Sequence, residues 1–275
     1  MSQTRSNAPS PHRDGVAVRR AAVLTHGRAE VIGDALERLH GVAKRCGVEV
    51  VGDDADPDIV VVLGGDGTML RALQRWLGTG TPCLGVNYGR VGFLTSVASG
   101  DLESGLEAAF AGRYHVLDLP TLAGDAGARP LVAVNDLVLT SATPGRMAVI
   151  EWGVDGQSLG ELGCDGVIAA APTGSTAYNL SAGGPVLVPG TDSYVVTFVS
   201  PHSLHARSMV LGRPHSVAFR NVSADVPVQA IVDGHVVAVV DPGGRVEVRL
   251  GEAPVALARV AGTSFFTRYL QEFTH

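Results

Sequence analysis

One short segment, residues 64–68, reads Gly-Gly-Asp-Gly-Thr and could do phosphate chemistry. It follows a β-branched apolar run at residues 59–63, which predicts a buried parallel strand, and Thr68 is predicted to start a helix over residues 69–77. Glycines let backbone N–H groups approach an anion, and a helix N-terminus adds free donors. The segment therefore predicts a phosphate cradle. The carboxylate of Asp66 would repel phosphate unless it binds a metal, orients a hydroxyl or takes a proton.

A second polar group interrupts the apolar run at residues 131–140, which predicts a β-strand. Asn135 and Asp136 lie side by side in it, so one of the two must face the core or a cleft. Burying an amide or a carboxylate there is costly unless something binds it. A ligand site and a polar pair at a bulge or sheet end both fit this pattern.

The longest polar and glycine-rich stretch contains Cys-Asp-Gly at residues 164–166 and many hydroxyl and small residues at 173–185. A turn into a short helix is predicted at residues 174–182. Such a surface offers many donors and little bulk, which suits a flat polar ligand such as a nucleotide. Ser175 is not in a G-x-S-x-G motif, so the stretch does not indicate a serine hydrolase.

The metal-binding residue types do not form a predicted site. His202 and His205 have a spacing that can bind a metal, but no third ligand is evident nearby, so no metal-ligating residue is predicted. Cys46, Cys83 and Cys164 are far apart and form no C-x-x-C pair. This favours reduced thiols in a cytoplasmic protein.

Composition restricts the class of protein further. The 275 residues carry a net charge of −6, with no basic patch, so nucleic acid is not an expected partner. No apolar run reaches the roughly 20 residues that span a bilayer, so no membrane association is expected. Aromatic residues make up only 5%, so the core must be built largely from Val, Ala and Leu. Residues 1–16 are polar and lack the apolar segment of a secretory signal, and we expect a disordered tail.

The periodicity of the chain changes near residue 114. Before it, strand and helix patterns alternate with short connections, which favours a parallel α/β sheet. Those patterns fall at residues 21–26, 29–46, 48–51, 59–63, 69–77, 82–86 and 102–110, the last with Asp101 as the expected N-cap. After it, many short β-rich runs separated by turn residues predict a sandwich or layered β-domain.

Together these stretches resemble the NAD kinases, the ATP- or polyphosphate-dependent family that phosphorylates NAD. The resemblance covers roughly residues 20–270. The glycine motif alone also occurs in diacylglycerol and sphingosine kinases and, in related form, in phosphofructokinases, whereas the 173–185 stretch is much more particular to NAD kinases. The matching pieces are residues 64–68, 85–87 with 92–94, 135–136, 164–166, 173–185 and 201–204.

The resemblance implies a two-domain fold and a kinase activity. It implies a Rossmann-like α/β domain, residues 17–113 plus about 252–275, with the chain end returning to it. A layered β-sandwich is implied for residues 114–251. The implied reaction moves the γ-phosphoryl group of ATP or polyphosphate to the 2′-hydroxyl of the adenosine ribose of NAD, giving NADP. Mg²⁺ or another divalent cation is the implied cofactor, and a homodimer or homotetramer is expected.

The resemblance also implies a role for individual residues. Asp66 would contact the ribose hydroxyl and help to deprotonate or orient it. Donor and diphosphate oxygens would be held by Gly65, Gly67 and Thr68, and the ribose or base of one nucleotide half by Asn135 and Asp136. The remaining residues implied to line the dinucleotide site are Asp165, Thr173, Thr176, Ala177, Tyr178, Ser181 and Asp233, with Tyr178 near a subunit boundary.

One position departs from the family pattern. Most NAD kinases carry Glu after the Asn, and Asp136 is shorter by one C–C bond, about 1.5 Å. A ligand group that Glu touches directly would be met here through water, so a related phosphotransferase acting on another nucleotide or nucleoside remains open. A lipid kinase should show a basic or apolar exposed face, which the acidic net charge disfavours. A non-catalytic NAD(P) sensor should lack the acid at Asp66.

Overall fold

The computed structural model describes residues 12–26, 29–89, 92–262 and 264–273. The chain divides into two compact units. The first holds the described residues up to Ala72, residues 81–118 and those from Ala256 onward, and the second holds residues 73–80 and 119–255. Within the described ranges, no helix is both long and apolar enough to cross a membrane.

Twenty strands and five α-helices make up the described chain. The strands of its first half are β1 His12–Asp14, β2 Arg20–Thr25, β3 Glu49–Val51, β4 Ile59–Gly64, β5 Cys83–Asn87, β6 Val97–Ala98, β7 Tyr114–Leu119, β8 Leu122–Ala126, β9 Arg129–Ala133 and β10 Asp136–Ser141. Those of its second half are β11 Ala148–Val154, β12 Gln157–Cys164, β13 Gly166–Ala170, β14 Ser193–Val199, β15 Met209–Gly212, β16 Ser216–Asn221, β17 Val228–Val232, β18 His235–Val240, β19 Arg245–Leu250 and β20 Val255–Val260. The helices are α1 Ala29–Cys46, α2 Asp66–Arg75, α3 Leu102–Phe110, α4 Tyr178–Ser181 and α5 Phe265–Phe273.

The first unit is built on a mostly parallel sheet with the order β3-β2-β4-β5-β20-β7-β1, and β6 pairs with β5. All six residues of β4 are buried, as expected for a central strand covered on both faces. Because β20 pairs parallel to β5, the chain end contributes a strand to this sheet. The predicted α/β fold, with a returning chain end, is confirmed.

Two local predictions in this unit need correction. Helix α2 begins at Asp66 rather than Thr68, so the acidic residue occupies the first turn of the helix, where the helix dipole favours a negative charge. Asp101 stands at the N-cap position of α3, but its side chain makes no capping hydrogen bond. Its backbone belongs to a preceding 3-10 turn at Ser99–Asp101 instead.

The predicted N-terminal tail is also partly wrong. Residues 1–11 lie outside the described residues, but β1 pairs antiparallel with β7. The next residue, Gly15, donates its N–H to the carbonyl of Tyr114 at 2.8 Å, and a Cβ at Gly15 would come within 2.5 Å of the Tyr114 ring. Backbone pairing does not depend on apolar side chains, which is why composition missed this strand.

The second unit is a sandwich of two six-stranded sheets, which confirms the predicted layered β-fold. Their orders are β15-β14-β13-β10-β17-β18 and β12-β11-β16-β19-β8-β9. Alternate residues of β13 point to opposite faces: Val167 joins the core between the sheets, whereas Ile168 packs with Leu187 on the other face. The segment after β13 therefore folds back over its own sheet.

The predicted strand at residues 131–140 is two strands in different sheets. Strand β9 pairs with β8, and β10 pairs with β13 and β17. The chain crosses from one sheet to the other at Val134 and Asn135. The polar pair is therefore at a corner and not in the middle of a strand. Six strands that the periodicity did not predict are β1, β6, β8, β12, β15 and β20.

Candidate functional site

In the first unit, the carboxylate of Asp66 binds a second glycine-rich loop. Its Oδ2 accepts the N–H of Phe93 at 2.8 Å, and its Oδ1 accepts the N–H of Leu94 at 3.1 Å. A side chain at Gly92 would overlap the same carboxylate. An ionised carboxylate has about four acceptor sites, so two remain for a ligand. The helix start and the loop are thus held together by the residue that is predicted to act in catalysis.

The three glycines of the cradle are required for different reasons. At Gly64, a Cβ would meet Oγ1 of the buried Thr68 at 2.5 Å, so this glycine is needed for packing. At Gly67 a Cβ would meet no atom within 4 Å, and at Gly65 the nearest atom would be Gly89 Cα at 3.7 Å. Neither has a positive φ. The chain itself therefore needs no glycine at 65 or 67, which leaves open space where an anion can approach.

In the second unit, the carboxylate of Asp233 holds the corner at residues 134–136. Oδ1 accepts the N–H groups of Asn135 and Asp136 at 2.7 and 3.1 Å, and Oδ2 accepts that of Val134 at 2.8 Å. Oδ2 also accepts from Nε2 of Gln74 at 2.6 Å. These four bonds fill the acceptor sites of the carboxylate. Asp233 therefore stabilises the corner. This is a structural role that the resemblance did not imply.

The residues held by this corner carry polar atoms without a hydrogen-bond partner among the described residues. Oδ1 of Asn135 and Oγ1 of Thr173 are buried without a hydrogen-bond partner, and the carboxyl group of the neighbouring Asp136 is also buried. The three lie close together because Asp136 is paired with Ala170 at the end of β13, and the carbonyl of Asn135 accepts the N–H of Ala171. Unsatisfied buried polar atoms are rare in native proteins, and a polar ligand would satisfy these.

Burial and charge both act on the Asp136 carboxyl group. Loss of solvent, together with the negative charge of Asp233, raises the pKa of Asp136 from 3.8 to about 7. The group is therefore partly protonated near neutral pH, and a hydroxyl or amide donor from a ligand would favour its charged form.

The predicted stretch at residues 173–185 contains two kinds of polar residue. Ser175 and Asn179 are fully buried and serve the chain: Ser175 donates to the carbonyl of Pro172, and Asn179 donates to the carbonyls of Ser175 and Pro185. The predicted ligand residues of this stretch stay more accessible. Thr176 and Ala177 are half-buried, and Tyr178 and Ser181 are exposed.

One predicted residue does not join this group within a single chain. Asp165 precedes β13, whereas Asp136 and Thr173 lie at the other end of that strand. Five residues of strand span roughly 16 Å. Asp165 is exposed, and its backbone carbonyl accepts from Thr140 at 2.9 Å. One protomer therefore brings Asn135, Asp136 and Thr173 together, but not Asp165.

The described cysteines and acidic residues do not cluster as metal ligands. Among the residues that the structure describes, no group of three His, Cys, Asp or Glu side chains could hold a metal ion. The three cysteines are free: Cys83 and Cys164 are buried and Cys46 is exposed. Burial raises the pKa of both buried thiols to about 12, which keeps them protonated and unreactive.

Comparison with known proteins identifies two matching family models. The model described as the ATP-NAD kinase N-terminal domain matches residues 44–114. The one described as the ATP-NAD kinase C-terminal domain matches residues 134–260.

Curated relatives agree with these models. The chain is 38% identical over 221 residues to an NAD kinase of Gemmatimonas aurantiaca, covering 78% of this chain and 76% of that one. It is 34% identical over 263 residues to an NAD kinase of Heliobacterium modesticaldum, covering 94% and 86%.

Two solved structures share the fold. An NAD kinase of Archaeoglobus fulgidus in complex with ATP superposes with a TM-score of 0.76 at 28% identity, covering 92% of this chain and 97% of that one. A yeast NADH kinase complexed with NADH superposes with a TM-score of 0.79 at 21% identity, covering 98% and 92%, which supports the fold alone.

The raised pKa of Asp136 predicts how stability depends on pH. Because the folded-state pKa is about 7 and the unfolded value is 3.8, this carboxyl group binds more protons in the folded state between them, and its contribution to the free energy of unfolding falls as pH rises from about 4 to about 7. Asp136→Asn should remove this loss and raise the free energy of unfolding at pH 8 by up to a few kcal/mol. Urea titrations from pH 4 to pH 8 measure the free energy of unfolding of both proteins. Asp165→Asn is the matched control, and parallel pH curves for wild type and Asp136→Asn would contradict the prediction.

Proposed function

The chain belongs to the NAD kinase family and phosphorylates NAD with ATP as the donor, and from this premise we propose which atoms and residues carry the reaction. The γ-phosphoryl group of ATP is transferred to the 2′-hydroxyl of the adenosine ribose of NAD, giving NADP. We assign the acceptor site from one observation: buried polar atoms of Asn135 and Thr173 lack partners among the described residues, beside the buried Asp136.

NAD binds to this cluster through the hydroxyls and amide of its nucleotide. Such groups supply donors to the acceptor atoms of Asn135, Asp136 and Thr173, and each buried bond avoids a desolvation penalty. Thr176, Ala177, Tyr178 and Ser181 form the more accessible part of the dinucleotide site. Asp233 acts indirectly, by holding the backbone of the corner.

Asp66 acts on the ribose hydroxyl. Its carboxylate is half-buried, is fixed by two backbone N–H groups and keeps two acceptor sites, which is what a group that orients or deprotonates a hydroxyl needs. Gly65, Gly67 and Thr68 provide the backbone at the start of α2 that receives donor and diphosphate oxygens.

A divalent cation, Mg²⁺ or a similar ion, accompanies the donor. Mg²⁺ keeps several waters and usually binds through substrate phosphates and one or two carboxylates. The described residues offer no group of three ligands that could enclose a cation. Asp66, at the start of α2, is the carboxylate that could contact a cation bound mainly by substrate phosphates. When bound, the cation would neutralise phosphate charge. The chain's own part is to position the hydroxyl and the phosphates.

The protein works as a homo-oligomer, a dimer or a tetramer, in the cytoplasm. The position of Asp165 supports this, because a second copy could supply it to a site that one chain leaves without it. Tyr178, which the resemblance implies near a subunit boundary, is exposed. Light scattering that returns a monomer mass would exclude the assembly. The three free thiols fit a reducing compartment.

A coupled assay tests the function directly. Purified protein with NAD, ATP and Mg²⁺ should form NADP, which is detected by an NADP-specific dehydrogenase. The assay is repeated with polyphosphate and other triphosphates as donors, and with NADH, nucleosides and diacylglycerol as acceptors. These reactions define the donor specificity and the acceptor specificity, which Asp136 affects. Transfer only to another acceptor would contradict the proposal, and tight NADP binding without turnover would indicate a sensor.

Replacement of Asp66 tests the catalytic role. Asp66→Asn should lower kcat by about 10²–10⁴-fold, the usual contribution of a general base, because the amide cannot accept the proton. The variant keeps the size of the side chain and one acceptor oxygen for the loop but loses the other loop hydrogen bond, so the free energy of unfolding should fall by about 1–3 kcal/mol while the protein stays folded. Near-normal kcat would remove Asp66 from the mechanism.

Replacement of Gly67 separates phosphate binding from folding. Gly67→Ala places a methyl group in open space at the start of α2, so its free energy of unfolding should be unchanged or higher by up to about 1 kcal/mol. The KM for ATP should rise about tenfold, equivalent to about 1.4 kcal/mol of lost phosphate binding.

The matched control for this change is Gly64→Ala, whose methyl group collides with Thr68 and should lower the urea midpoint instead. An unchanged KM for ATP in Gly67→Ala would show that the phosphates do not approach this glycine.

A further inference from the structure

The last helix of the chain contacts the loop that holds Asp66. Nη1 of Arg268, in α5, donates to the carbonyl of Gly92. We propose that Arg268, with the help of Arg259, is a positioning residue that orients the Asp66 carboxylate for phosphoryl transfer. The inference rests on the proposed role of Asp66 and adds residues that lie outside the glycine motif.

Two peptide groups connect the arginines to the carboxylate. The carbonyl of Gly92 and the N–H of Phe93 belong to one peptide: Arg268 donates to its oxygen, and Asp66 Oδ2 accepts from its nitrogen at 2.8 Å. The next peptide repeats the arrangement. Nη2 of Arg259 donates to the carbonyl of Phe93 at 3.4 Å, and Asp66 Oδ1 accepts the N–H of Leu94 at 3.1 Å.

This arrangement polarises both peptides in the same direction. A cation at the carbonyl end and an anion at the N–H end each strengthen the hydrogen bond at the other end, as in other hydrogen-bonded chains. Each oxygen of the Asp66 carboxylate is therefore fixed by a peptide that is itself anchored to a guanidinium group. Such anchoring restricts the rotation of the carboxylate about its Cβ–Cγ bond.

No ion pair among the described residues neutralises the guanidinium charges of Arg259 and Arg268. Both are half-buried, and within residues 12–26, 29–89, 92–262 and 264–273 neither forms an ion pair within 4 Å. Burial lowers the pKa of Arg259 to about 10 and also lowers that of Arg268, whereas the charges of Asp66 and Glu272 raise the pKa of Arg268. The charge of Asp66 thus stabilises the guanidinium group whose donor bond anchors the loop.

Aromatic packing keeps α5 on the loop. The ring of Phe93 lies 5.7 Å from that of Phe265 and 5.9 Å from that of Phe273, both in α5. The backbone of Phe93 carries one N–H to Asp66 and one carbonyl to Arg259, so packing and hydrogen bonding converge on this residue.

A competing role for Arg268 is direct binding of the donor. It borders a cavity of about 620 Å³ in the first unit, which Arg113, Ser104 and Gln271 also line. A donor phosphate there would make Arg268 a binding residue. The two roles differ in kinetics: loss of a positioning residue lowers kcat, whereas loss of a binding residue raises the KM for ATP.

The test is a double-mutant cycle with Asp66. Arg268→Met keeps the apolar stem and removes the charge and the donors. We expect kcat to fall about a hundredfold, the effect of a misplacement near 1 Å, with the KM values for NAD and ATP within about twofold of wild type. In an Asp66→Asn background the same change should have little further effect on kcat, because Arg268 acts through the carboxylate. Arg268→Lys should recover part of the loss.

Controls separate this role from a structural one. Arg249→Met makes the same substitution at an exposed position of β19, in the second unit, and should keep wild-type kcat. Arg259→Met tests the second peptide, and its effect on kcat should likewise disappear in the Asp66→Asn background. Because two arginines are tested, a folding defect in one variant does not decide the question. Thermal melts verify that each variant is folded.

Three outcomes would overturn the inference: unchanged kcat in folded Arg268→Met, a raised KM for ATP with normal kcat, or equal losses in the wild-type and Asp66→Asn backgrounds. Full activity of Asp66→Asn alone would instead refute the proposed role of Asp66, which distinguishes the two failures.

Discussion

The hydrogen bonds from two consecutive backbone N–H groups to the carboxylate of Asp66 organise the first unit around the glycine cradle. They connect the start of α2 to the loop at residues 92–94, which in turn contacts α5 and the end of β20 through Arg268 and Arg259. Residues from distant parts of this unit's sequence therefore contact the loop that holds Asp66. A carboxylate in the first turn of a helix also gains from the helix dipole, so the position is favourable before any ligand binds.

The second unit assigns opposite tasks to two neighbouring carboxylates. Asp233 accepts four N–H groups and has no acceptor site left, so it organises backbone. Asp136 is buried beside it without that support, and its pKa rises to about 7 as a result. A ligand that donates hydrogen bonds would offset the cost of burying this carboxyl group. The absence of internal partners is therefore the strongest physical argument for a binding site at this corner.

Candidate functional residues stand out where the fold itself does not require the residue type. Gly64 is explained by its contact with Thr68, whereas Gly65 and Gly67 have room for a side chain and ordinary backbone angles. The buried oxygens of Asn135 and Thr173 similarly have no hydrogen-bond partner in the described part of the chain. Natural sequences are locally consistent with their fold, and such exceptions are expected at functional sites.

Three features could be predicted from the sequence: the α/β-then-β organisation, the strand and helix around residues 64–68, and the polar pair at Asn135 and Asp136. These features are local: apolar periodicity and glycine turns depend on residues close along the chain. Three others appear only in the folded chain: residues 131–140 form two strands, Asp233 binds the corner 98 residues away, and Arg268 reaches Gly92 across 176 residues. Polar contacts between distant residues leave no periodic pattern, because any chain path that brings the two groups together satisfies them.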